Sequence, residues 1–180
     1  MRIISGIHKG RRITAPKTLP VRPTTDLAKE SLFNILNNNY HLDEITVLDL
    51  FSGTGNISYE FASRGVPVVM AVDAHYACVQ FIQKTAEALA LPITTVKGDV
   101  YKFLAGQGQS FDVVFADPPY DLPQEQFEAI VQLIFENSWV KPNGMLIIEH
   151  SKHMDLSSQP NFSQARKYGG SVFSFFQQTS

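Results

Sequence analysis

The chain has 180 residues, 44% of them apolar, and a formal net charge of −2. That length fits one domain with enough residues to bury a core, and that apolar fraction excludes a disordered chain. No apolar stretch approaches the ~20 residues that span a bilayer, the N-terminus lacks the apolar core of a signal peptide, and a lone Cys78 excludes an internal disulfide or a cysteine-built zinc site. The expectation is a cytoplasmic protein without a metal, in which Cys78 is an inert buried thiol.

In chain order, Arg2-Ile3-Ile4 and Arg12-Ile13-Thr14, set apart by Gly6 and Gly10, predict a short hairpin with a basic tip. His8 falls in that tip as an exposed loop histidine. Before Asp26 the chain carries Arg2, Lys9, Arg11, Arg12, Lys17 and Arg22 and no acid. A basic arm on an acidic body points to local contact with a polyanion, and Arg2, Lys9, Arg11, Arg12 and Arg22 are the candidate nucleic-acid contacts. Pro16, Pro20 and Pro23 hold an extended connector. Thr25 or Asp26 then caps a helix that runs through Leu32, Phe33 and Leu36 to the stop at Asn37-Asn38-Asn39.

From there short apolar runs alternate with helical patterns. Strands are expected over residues 45–50, 66–72, 93–97, 111–116 and 145–149, and helices over 56–64, 75–90 and 125–136. That rhythm predicts an α/β fold with a doubly wound, mostly parallel sheet. Residues 164–168 and 172–176, separated by Gly169-Gly170, predict an antiparallel pair at the sheet edge, which brings the sheet to seven strands. Trp139, Phe173, Phe175 and Phe176 are expected to pack in the core or at the sheet edge rather than to form a base-stacking platform. His75, His150 and His153 have no metal-ligand spacing.

Three acids fall at carboxyl edges of successive strands. The first strand carries Asp49 and runs into Phe51-Ser52-Gly53-Thr54-Gly55, a glycine turn that lets a backbone approach a ligand closely. A dinucleotide fingerprint would place a third glycine where Ser58 stands, and Asp49 would repel a pyrophosphate. The second strand ends in Asp73, which can accept ribose hydroxyls, and the third leads to Asp99, which can accept from an adenine amine. The fourth ends at Asp117-Pro118-Pro119-Tyr120, a stiff ledge that presents a carboxylate, carbonyls without competing donors and a phenol ring. Such a ledge suits a flat ring that bears an amine.

The glycine turn, Asp73, Asp99 and the Asp-Pro-Pro-Tyr ledge, in that order, resemble class I S-adenosylmethionine-dependent methyltransferases. The segment from Arg22 to Leu36, preceded by Met1-Arg2-Ile3-Ile4-Ser5-Gly6 and Gly10-Arg11-Arg12, is similar to the RsmD-like family. Its members methylate a guanine N2 in bacterial small-subunit (16S) ribosomal RNA. The likeness extends through Lys167-Tyr168-Gly169, with one departure: Leu27 stands where members often carry Arg. The resemblance implies a Rossmann-like core over residues 41–180 with an N-terminal hairpin and helix extension over 1–40, together one methyltransferase domain. It implies S-adenosylmethionine held by Asp49, Phe51, Gly53, Gly55, Asp73, Asp99 and Val100, and catalysis by Asp117, Pro118, Pro119 and Tyr120. The implied partner is 16S rRNA, free or within a small-subunit assembly particle, with the protein a monomer. A DNA or RNA methyltransferase acting on adenine N6 or cytosine N4 shares the glycine and Asp-Pro-Pro-Tyr motifs and is the alternative.

Overall fold

The short Val/Ile/Leu-rich runs pair into one sheet in the computed structural model, which describes residues 1–19, 21 and 24–178. Its strands are β1 (Thr46–Leu50), β2 (Val68–Asp73), β3 (Ile93–Lys97), β4 (Phe111–Ala116), β5 (Val140–Ser151), β6 (Phe162–Tyr168) and β7 (Ser171–Gln177). They lie in the order β3-β2-β1-β4-β5-β7-β6. β1 to β5 are parallel, while β7 runs antiparallel between β5 and β6. Helices α1 (Asp26–Asn39), α2 (Asn56–Ser63), α3 (Tyr76–Leu89), α4 (Val100–Ala105) and α5 (Gln124–Glu136) complete the fold. None of the described helices is long and apolar enough to cross a membrane.

Alternation along the strands divides the core in two. Val47, Val69, Val113, Met145, Phe173 and Phe175 pack on one face with α1, α2 and α3. Leu48, Leu50, Val114, Leu146, Ile148 and Phe176 pack on the other with α4 and α5. Burial on both faces is why these strands are nearly continuous apolar runs. Trp139 is 4% exposed and Cys78 1%, so both are core residues as expected.

The N-terminal extension is part of the first apolar cluster, through Ile3, Ile13, Leu32, Phe33 and Leu36. α1 starts where Thr25 Oγ1 accepts the Ala28 amide at 3.3 Å, satisfying one of the orphan donors of the first turn. The expected hairpin forms: Met1 and Ile13 exchange backbone hydrogen bonds at 3.0 and 2.9 Å, and Ile3 bonds to Arg11 O and Gly10 N at 2.9 and 2.8 Å, on either side of an Arg2–Arg12 bridge. Its tip lies against the body instead of projecting: the Ile7 amide donates to Ser63 O at 2.8 Å, and the His8 ring contacts Leu89 O at 2.8 Å. His8 is therefore half-buried, which corrects its reading as an exposed loop residue. Gly6 permits the close approach, because a Cβ there would lie 1.8 Å from Ser63 O at a φ of +92°.

Two other elements differ from expectation. β5 begins at Val140, five residues before the expected start, since Val140 pairs with Phe111 ahead of an irregularity in the register. Pro142-Asn143-Gly144 lies within this longer strand, with Asn143 at a φ of +66°. α4 has six residues, too few to display a helical period, and starts where Asp99 caps Lys102.

Candidate cofactor and acceptor cleft

β1 lies between β2 and β4, so the connections leave it in opposite directions at the carboxyl edge. Crevices at such a switch point are where open α/β sheets take ligands. A cleft of about 600 Å³ occupies that position. It is lined by Asp49, Phe51, Gly53, Asp73, Asp99, Val100 and the whole ledge from Asp117 to Tyr120. Residues 70 positions apart in the chain thus meet at one opening, and every expected cofactor or catalytic residue except Gly55 lines it.

Gly55 works from behind. It is the N-cap of α2 at a φ of +91°, and a Cβ there would come within 2.7 Å of the Tyr59 ring. Its role is to let α2 start close beneath the turn. Phe51, a residue with a Cβ, also sits at a positive φ of +54°. Such a conformation is uncommon for a bulky residue and marks a turn held by its surroundings.

Hydrogen bonds fix the three acids. Asp73 Oδ2 accepts the Gly53 amide at 2.9 Å and Oδ1 accepts the His75 amide at 2.8 Å. Each oxygen retains a lone pair, so the carboxylate ties the glycine turn to β2 and can still accept from a diol. Asp99 caps α4 through Oδ1 at 3.0 Å from the Lys102 amide, and its second oxygen is outside the cap. Asp49 is buried and accepts from Ser58 Oγ at 2.6 Å. Burial pushes its carboxyl up to about 7, Ser58 holds it down, and the Asp73 charge raises it further. Burial, with the Asp73 charge, pushes the neighbouring Cys78 thiol up to about 11, which keeps it inert at neutral pH.

Negative and accepting groups along this cleft suit a ligand with cationic ends, hydroxyls and an amine, and oppose a pyrophosphate. Those are the features of S-adenosylmethionine, so the residues fit that cofactor. The ledge closes the far wall. The Asp117 amide donates to Leu50 O at 3.3 Å, which seats the ledge against β1. Asp117 and Tyr120 are half-buried, Pro118 is buried and Pro119 is exposed.

The basic residues are elsewhere. Lys9, Arg11 and Arg12 are exposed, and the two arginines line a separate groove of about 630 Å³ with Gln80, Phe81 and Lys84 of α3. Arg2 pairs with Asp26 at 3.1 Å, so its charge is partly satisfied within the protein. Arg22 lies outside the described residues. Leu27 is 70% exposed on α1, an apolar side chain on an open face.

Sequence reasoning missed Thr24 and Asn56, which also line the cleft. Asn56 Nδ2 donates to Thr24 O at 3.0 Å and its Oδ1 accepts from Lys29 Nζ at 2.9 Å. These contacts lock the start of α1 to the start of α2. The signal was a polar residue at each helix start, indistinguishable in sequence from ordinary capping.

A family model described as "Conserved hypothetical protein 95" matches residues 1–177. Ribosomal RNA small subunit methyltransferase D of Haemophilus influenzae is 30% identical over 97% of this chain and 91% of its own length. The Escherichia coli K12 protein of the same name is 30% identical over 96% of this chain and 86% of its own. Among solved structures, a candidate methyltransferase of Escherichia coli superposes with a TM-score of 0.87 at 28% identity, covering 99% of this chain and 98% of that one. A Thermus thermophilus 16S rRNA N2-guanine methyltransferase, solved with AdoMet and guanosine, shares the fold with a TM-score of 0.72 at 22% identity. That match covers 89% of this chain and 45% of the other.

Proposed function

The chain belongs to the Conserved hypothetical protein 95 (RsmD) family of methyltransferases, and from that premise we propose that it methylates the exocyclic N2 amine of a guanine in 16S rRNA, with S-adenosylmethionine as donor. The observation that carries this reading is the shared cleft: the acids and glycine turn that suit the donor open directly onto the Asp117-Pro118-Pro119-Tyr120 ledge that suits an amine.

When bound, the donor supplies an activated methyl group, so the task left to the protein is the nucleophile. A guanine amine has its lone pair drawn into the ring. Asp117 and the Pro118 carbonyl accept its two N–H groups, which favours a tetrahedral nitrogen and stabilises the positive charge that grows during transfer. Tyr120 stacks on the ring and holds the amine in line, a positioning effect. Stacking on an aromatic side chain is worth about 1–3 kcal/mol per base, which helps to hold a base outside its helix. The proton leaves late, to Asp117 or to water.

Asp49, Phe51, Gly53, Asp73, Asp99 and Val100 hold the donor, with Gly55 shaping the turn from beneath. Arg11 and Arg12, with Lys9 and Arg22 on the same arm, contact RNA phosphates. Residues 1–180 act as one domain, with residues 1–40 as the RNA-facing extension, working as a cytoplasmic monomer without a metal on 16S rRNA or a small-subunit assembly particle.

The test is incubation of the purified protein with methyl-labelled S-adenosylmethionine and either 16S rRNA or small subunits, followed by nucleoside digestion. Label in N2-methylguanosine is the expected result. Label in methyladenosine or methylcytidine would transfer the reading to another amino-methyltransferase.

A further inference from the structure

Glu149 is 3% exposed at the carboxyl end of β5, one residue beyond the Ala116–Ile148 pair that precedes the ledge. Burying a carboxyl is costly unless hydrogen bonds compensate, and here two come from distant parts of the chain. Thr24 Oγ1 donates to Oε1 at 2.7 Å. Ser171 Oγ, at the start of β7, donates to Oε2 at 3.3 Å. The same Ser171 oxygen lies 2.6 Å from the Tyr120 hydroxyl.

These contacts have a direction. A carboxylate only accepts, and a serine hydroxyl has one proton to give. With that proton on Glu149, Ser171 Oγ must accept, so the Tyr120 O–H is the donor in the 2.6 Å contact. We infer that Glu149, through Ser171, is the positioning device of the acceptor site: it fixes the Tyr120 ring in the orientation that receives the target base. Tyr120 is the ledge residue furthest from β4, so the sheet alone does not set its ring. A preset ring removes the ordering cost that a swinging phenol would add to base binding. Thr24, which lines the same cleft, donates to the same carboxylate, so this stretch of the cleft lining is fixed together with the ring. The inference rests on the proposed amine-methylating reading of the cleft.

The experiment compares Ser171→Ala, Glu149→Gln and Ser171→Thr with wild type. It reads the single-turnover methylation rate, cofactor affinity by calorimetry, and the Tyr120 hydroxyl proton by NMR. Ser171→Ala and Glu149→Gln should each lower the single-turnover rate on the order of 10- to 100-fold, leave cofactor affinity unchanged and abolish the protected hydroxyl signal. Ser171→Thr, which retains the hydroxyl, should restore both rate and signal. Ser171 is half-buried at a strand start, so its alanine variant keeps the test valid if the buried Glu149→Gln change impairs folding. Wild-type rates in Ser171→Ala, or a hydroxyl signal that survives it, would overturn the inference. A rate loss matched by a loss of cofactor affinity would also overturn it, because that is a general structural defect. A wild-type protein that methylates no RNA would refute the proposed function, and the hydroxyl signal would then decide the pinning of Tyr120 by itself.

Discussion

Lys29 Nζ and Glu60 Oε1 lie 3.2 Å apart with their side chains 1% and 0% exposed, an ion pair shut inside the junction of α1 and α2. Glu60 also accepts the Ile4 and Ser5 amides at 2.9 and 3.1 Å and pairs with Arg64 at 2.7 Å. Lys29 donates to Arg2 O at 2.6 Å. One buried pair therefore fastens the N-terminal arm to the helix that starts at the cofactor turn. Burial pulls the Lys29 ammonium below its usual range, against the Glu60 charge.

Removing one partner leaves the other charge buried alone. Glu60→Ala should reduce stability by about 3–5 kcal/mol, read from urea unfolding. A loss below about 1 kcal/mol, the range of an exposed pair, would contradict this role.

Asp49 makes stability depend on pH. Its folded carboxyl titrates at about 7 against 3.8 in the unfolded chain, so the folded state holds the proton more firmly between those values. The contribution is fully present below about pH 4 and is lost as pH rises through about 7. Asp49→Asn removes this dependence and can still accept from Ser58. The variant should gain stability relative to wild type as pH rises from 5 to 8, measured by thermal unfolding across that range. A pH-independent difference would place the titration elsewhere.

Asp73 holds both the Gly53 amide and, in the proposed complex, the ribose. Hydrogen bonds to a charged group contribute about 1.5–3 kcal/mol, so Asp73→Ala should weaken cofactor affinity roughly 10- to 100-fold. Calorimetry that returns the wild-type affinity would move the ribose site.

Arg11 and Arg12 are exposed beside the α3 groove and are proposed to meet phosphates. Neutralising each should flatten the dependence of log affinity on log salt by about 0.7. A slope indifferent to both substitutions would remove the arm from the RNA contact.

Much of the cleft was legible because its acids stand where strands stop. Asp73 and Asp117 close apolar runs and Asp99 follows the third strand, and parallel strands deliver such positions to one edge. What sequence did not disclose are contacts made across the sheet. Glu149 resembles any polar strand end until Thr24 and Ser171, at separations of 125 and 22 residues, turn towards it. Glu60 reads as one more helix-surface acid, yet the arm folds over it and buries it. The sequence also did not reveal that the missing side chain of Gly55 makes room for Tyr59. His8 read as exposed because hydropathy does not reveal that Gly6 lets the tip lie down on Ser63.

Methylation of guanine N2 through Asp117 is decided by nucleoside mass spectrometry of 16S rRNA from a strain lacking this protein, complemented with wild type or with Asp117→Ala. One N2-methylguanosine should disappear on deletion, return with wild type and fail to return with Asp117→Ala, whose single-turnover rate should fall on the order of 100-fold or more. An unchanged N2-methylguanosine content in the deletion strain, or full restoration by Asp117→Ala, would contradict that chemistry.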